Sequence, residues 1–137
     1  MKTGPWMLQW GSPAEVAEAL RKARELLVPE ARWTRKTFYR DEKGLPCSMQ
    51  KAVAYDPIGA VRASCGSSSR AAGVVDAAVV LLERALPDDA ASVWDYNDFT
   101  ATHADVLALF DGAIRVADGN ARAATAILGS PVKAATS

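Results

Sequence analysis

The residues best equipped for chemistry stand close together. Between Val93 and Val106 the chain places Trp94, Asp95, Tyr96, Asn97, Asp98, His103 and Asp105, and His103 is its one histidine. Acids beside an imidazole could ligate a metal, move protons or hold a substrate. A metal centre would draw on His103 with Asp95, Asp98 or Asp105, but one histidine among scattered acids lacks a diagnostic ligand spacing. Asp95 and Asp98 could serve as general acid and base, in an enzyme centred on His103, only if one of them were desolvated. A thiol nucleophile would need Cys47 or Cys65 folded against His103. The run Ala63-Ser64-Cys65-Gly66-Ser67 resembles a small-residue loop after a helix more than a nucleophile motif.

A structural reading accounts for the same residues. Thr102-His103-Ala104-Asp105 has the form of a capping box, in which Thr102 accepts from the third amide and Asp105 reaches back to the Thr102 amide. Val106 could then staple against Phe99. Asn97 and Asp98 suit a turn, because their side chains bond nearby backbone. Trp94 and Tyr96 would bury their rings and leave polar tips for partners. His103 becomes a partly exposed residue of a first helical turn. This reading is preferred, so no catalytic residue, metal ligand or cofactor is expected.

The second chemically loaded stretch is Arg32-Trp33-Thr34-Arg35-Lys36-Thr37-Phe38-Tyr39-Arg40. Cations interleaved with aromatics can bind phosphates and stack on bases. The chain has no RNA-binding signature, and its 16 basic and 16 acidic residues cancel. A hairpin whose aromatics pack on a helix, or a basic strip facing the acidic Asp88 to Asp98 segment, explains these residues equally well.

Helices must position both stretches. Ser12-Pro13-Ala14-Glu15 combines a hydroxyl cap, proline at the first helical position and a reciprocal glutamate. Val16, Ala19, Leu20, Ala23 and Leu27 follow at helical spacing until Pro29. Trp33 to Arg40 favours extended structure, Asp41 to Gly44 a turn, and Leu45 to Ser48 a returning strand. Asp56-Pro57 opens a helix over Ile58 to Ser64 that stops at Gly66. A longer one, Arg70 to Leu86, is expected to be the most buried. The last starts at Thr102 and ends at Gly119-Asn120, followed by a weakly periodic tail.

The 137 residues suit one mainly α domain with a small β-hairpin, an α+β fold built as a compact bundle of about four helices. Residues 12–118 are its expected core, with 1–11 and 120–137 less ordered. Half of the chain is hydrophobic and alanine makes up about a fifth of it, which favours closely packed helices. No secretory leader or membrane span is visible, and two cysteines do not make a disulfide framework, so the cytoplasm is the expected compartment.

Several of these features occur together in a known pattern. They are the helix ending Glu25-Leu26-Leu27, then Trp33, Arg40-Asp41 with Gly44, Ala52, Ile58-Gly59-Ala60 with Ala63, Asn97-Asp98, Thr102, Val106 and Asp111 through Ile114. With these the chain resembles an uncharacterised family of small proteins, a domain of unknown function found in actinobacteria and their phages. Tyr96 occupies the place of the tryptophan that usually precedes the Asn-Asp pair. The resemblance implies a compact helical domain and carries no activity.

The expectation is a non-enzymatic interaction or regulatory protein with a protein partner or a second copy as its target. The alternative is a nucleic-acid or small-ligand binder. The residues expected to bind are Arg32, Trp33, Arg35, Lys36, Tyr39, Arg40, Trp94, Tyr96, Asn97, Asp98 and His103.

Overall fold

The computed structural model describes residues 11–136, with side chains described through Ile127. The expectation for residues 1–10 lies outside the described residues. Helix α1 spans Pro13–Leu27, and both halves of its capping box form: Glu15 N donates to Ser12 Oγ at 3.1 Å and Ser12 N to Glu15 Oε1 at 3.0 Å. Its apolar stripe is fully committed to the core, with Leu20, Ala23 and Leu27 completely buried. A 3-10 turn at Glu30–Arg32 follows, then the two-residue strand β1, Tyr39–Arg40.

The partner of β1 differs from expectation. It is β2, Ala54–Tyr55, antiparallel with Tyr39 opposite Tyr55 and Arg40 opposite Ala54. The Leu45 to Ser48 segment makes only an isolated bridge, Arg40 with Pro46, and a 3-10 turn at Met49–Lys51 delivers the chain to β2. The turn at Asp41 to Gly44 does form, closed by Gly44 N donating to Asp41 O at 2.9 Å. Trp33 to Phe38 is not a strand, despite its β-favouring residues, because those side chains are recruited elsewhere.

Helix α2, Pro57–Cys65, is capped by Asp56 and ends at Gly66, whose φ of 86° is cheap only for glycine. Helix α3, Ser69–Arg84, starts from Ser68. It packs against α1, α2 and the last helix, with Val74, Val75, Ala78, Leu81 and Leu82 buried and Val80, 41% exposed, on its outer side. A short helical turn α4, Val93–Asp95, runs into a wide turn over Tyr96–Thr100.

Helix α5 begins at His103 and continues to Thr136, so Gly119-Asn120 does not terminate it. Intrinsic propensity costs about 1 kcal/mol for a glycine inside a helix, and the surrounding alanines offset that. Val106, Phe110, Ala113 and Ala117 line its buried face. Ion pairs Arg21 with Asp118 and Arg24 with Asp111 fix α5 antiparallel to α1. Both capping-box bonds form here as well, Asp105 N to Thr102 Oγ1 at 3.1 Å and Thr102 N to Asp105 Oδ2 at 2.9 Å.

Candidate interaction site

The two chemically loaded stretches meet on one face. Asn97, 1% exposed, is their joint. The Trp33 indole Nε1–H donates to Asn97 Oδ1 at 2.7 Å, and Asn97 Nδ2 donates to Thr34 O at 3.0 Å. Arg35 completes the seam: its Nε donates to Asn97 O at 3.0 Å and an Nη to Ala101 O at 2.6 Å, while its guanidinium lies 4.5 Å above the Trp33 ring. The wide turn over 96–100 explains why Arg35 is needed. Ala101 N closes the turn on Tyr96 O at 2.7 Å, a five-residue step that leaves neighbouring carbonyls without helical partners.

Lys36 is the one non-glycine with positive φ among the described residues, at 70°. Such a conformation costs of order 1 kcal/mol and persists where surrounding contacts dictate it. Here the Lys36 amide donates to Asp98 Oδ1 at 2.7 Å. The basic strip therefore does face the acidic segment, within one molecule.

Other expected residues serve the scaffold. Arg40 spends its N–H groups on Thr34 Oγ1, Gly44 O and Arg35 O at 2.6, 2.9 and 3.0 Å. Tyr39 is buried, its ring edge-on to Tyr55 with centroids 6.2 Å apart. Arg32 is exposed on the 3-10 turn and takes no part in this seam. Arg35 and Arg40 are thus bonded to the chain's own oxygens, while Arg32 and Lys36 stay exposed. His103 is half-buried, with its ring 5.6 Å from that of Trp33 and its Nε2 2.6 Å from Leu27 O. A carbonyl only accepts, so this nitrogen carries a hydrogen and satisfies a carbonyl at the end of α1. The imidazole is thus engaged away from Asp95 and Asp98. Phe99 is 72% exposed and makes no staple with Val106; the buried residue preceding the cap is Ala101. Tyr96 is half-buried and Trp94 is 51% exposed.

Beside this seam lies an open cleft of about 480 Å³ lined by Lys36, Thr37, Phe38, Asp56, Trp94 and Asp98. The Phe38 and Trp94 rings are 6.2 Å apart at their centroids and tilted by 44°. Asp56 caps α2, accepting from Gly59 N at 2.6 Å, yet it is only 2% exposed. Burial pushes its carboxyl up to about 7, and the charge of Asp98 acts in the same direction, against the Gly59 and Ile58 amides and Arg62. Gly59 makes the close approach possible, since a Cβ there would fall 2.3 Å from Phe38 O.

A family model matches residues 11–116, which takes in the seam and the whole cleft. The chain belongs to the family of unknown function DUF6197. No curated protein and no solved structure matches the chain. Membership in DUF6197 therefore places the site inside the span the family shares, without assigning it a reaction. Among the described residues no group of three His, Cys, Asp or Glu side chains could hold a metal ion, and no helix is long and apolar enough to cross a membrane.

Sequence reasoning missed Phe38, Asp56, Arg62 and Phe99 as parts of this face. Asp56-Pro57 was legible as a helix cap. Nothing local indicates that its carboxyl shares a cleft with residue 98.

Proposed function

We propose that this protein is a non-enzymatic interaction module that docks a protein partner through the face built by residues 33–38 and 94–99. The exposed pair Trp94 and Phe99, 51% and 72% accessible, carries this reading. Large aromatics held rigidly at a surface are typical anchors of protein interfaces. The Asn97 seam supplies the rigidity beneath them, so little ordering cost opposes docking. The wide helical turn that presents them is a backbone feature that recurs at functional positions. The setting that goes with this function is cytoplasmic, with an accessory or phage-derived role in an actinobacterial cell.

The decisive experiment is affinity capture from the native host with the wild-type chain and a Trp94→Ala/Phe99→Ala variant, scored for protein, nucleic acid and small molecules. A protein retained by the first and lost by the second, with unchanged circular dichroism, supports the proposal. Nucleotides or a metal as the dominant captured species would overturn it.

A further inference from the structure

The charge around Trp94 narrows the kind of partner. No lysine or arginine occurs between Arg84 and Arg115, whereas Asp88, Asp89, Asp95, Asp98, Asp105 and Asp111 all fall in that interval. Asp111 is paired with Arg24, and Asp105 is engaged at the Thr102 amide. Among the described residues, Asp88, Asp89, Asp95 and Asp98 have no ion pair. This segment carries acids alone, while the balancing excess of bases lies elsewhere in the chain, and an acidic surface selects basic partners and speeds their encounter.

The aromatic rings of the same face already show what they attract. Arg35 lies over Trp33, Arg62 over Phe38 at 4.6 Å and Lys36 over Phe99 at 5.2 Å. Lys36, which lines the cleft, and Arg62 are thereby placed on rings and form no ion pair with Asp56 or Asp98 among the described residues. Trp94, half exposed between Phe38 and the acidic side chains, carries no such cation among the described residues. Tryptophan is the ring with the strongest attraction for a cation.

We infer that the cleft receives an arginine or lysine side chain from a basic segment of a protein partner, stacked on Trp94 and paired with Asp98, with Asp56 at its floor. This rests on the docking function proposed above and specifies the chemistry of its partner. Arrival of a positive charge also suits Asp56, whose ionised form is disfavoured by burial and would gain a counter-ion.

The test is a nuclear magnetic resonance titration of the full chain with a glycine–arginine repeat peptide and with its citrulline counterpart, which has the same shape without the charge. The Trp94 indole N–H, identified by its loss in Trp94→Phe, is expected to shift with the arginine peptide and not with the citrulline peptide. Asp98→Asn keeps an oxygen for the Lys36 amide and should weaken binding about tenfold. Equal shifts with both peptides, or unchanged affinity in Asp98→Asn, would overturn the inference. So would a stronger response to single-stranded oligothymidine, which would make the occupant a nucleic acid. Concentration-dependent self-association abolished by Trp94→Ala would identify a second copy as the occupant and overturn it equally. If the double aromatic variant loses its captured protein while the arginine peptide leaves Trp94 unmoved, the docking function stands and the cationic occupant falls.

Discussion

The indole of Trp33 donates to the side-chain oxygen of Asn97, 64 positions further along, at 2.7 Å. Asn97 in turn donates to Thr34 O, so one buried amide joins the loop before β1 to the turn before α5. A buried amide left half satisfied costs more than the bond itself contributes, which makes this joint sensitive to small changes.

Asn97→Ala should lower unfolding stability by about 2–3 kcal/mol, through an unpaired indole N–H, an unpaired Thr34 carbonyl and a small cavity. Urea denaturation measures it. A loss below about 0.5 kcal/mol, the range of ordinary surface substitutions, would show that the joint is not a stabilising element.

Thr102→Ala should cost about 1 kcal/mol without altering the fold, because Asp105 N loses its acceptor at the start of α5. Matching thermal midpoints for the two proteins would mean that water replaces the hydroxyl without loss.

For His103 the expected pattern separates a structural from a chemical role. His103→Ala removes the donor to Leu27 O and should destabilise by about 1 kcal/mol. His103→Gln supplies an alternative amide donor and should fold with most of that stability, retain partner binding and hold no less metal. Zinc retained through dialysis by the wild-type chain and released by His103→Gln would contradict this assignment.

Asp56 sets a pH dependence. Its folded-state value, about 7, lies above the 3.8 of an unperturbed aspartate, so the native state holds this proton more tightly than the unfolded chain. Its contribution to stability is therefore complete below about pH 4 and is lost as pH rises toward 7, at up to about 1.4 kcal/mol per pH unit. Asparagine caps helices as well as aspartate does, so Asp56→Asn should keep α2 and flatten the profile in that window. Denaturation curves at intervals from pH 4 to 8 decide it; an unchanged slope in the variant would locate the titration elsewhere.

Glu15 behaves oppositely. Its bond to Arg70, with the Ser12 amide and hydroxyl, holds its carboxyl down to about 2. What it adds to stability is present above pH 4.5 and lost as pH falls toward 2, outside the window that reports on Asp56.

Three helix starts were legible because each is decided within four residues: Ser12, Asp56 and Thr102 all cap as their neighbours dictate. The strand partner was not. Leu45 to Ser48 lies nearer in sequence, but the 3-10 turn at Met49–Lys51 brings Ala54–Tyr55 against Tyr39 and Arg40. β-Propensity likewise failed at Trp33 to Lys36, where Asn97 claims the indole and Asp98 the Lys36 amide. The end of α5 was misplaced because glycine and asparagine weaken a helix without forbidding it. The allocation of the candidate residues to scaffold or surface was not legible, because it depends on contacts 62 to 66 residues apart.

Those separations also have a kinetic meaning. Each bond in the seam closes a loop of more than 60 residues, an entropic cost met before the contact stabilises anything. The seam joins segments on either side of α2 and α3, so a chain still emerging during synthesis, or truncated before Asn97, lacks the face that residues 33–38 and 94–99 build together.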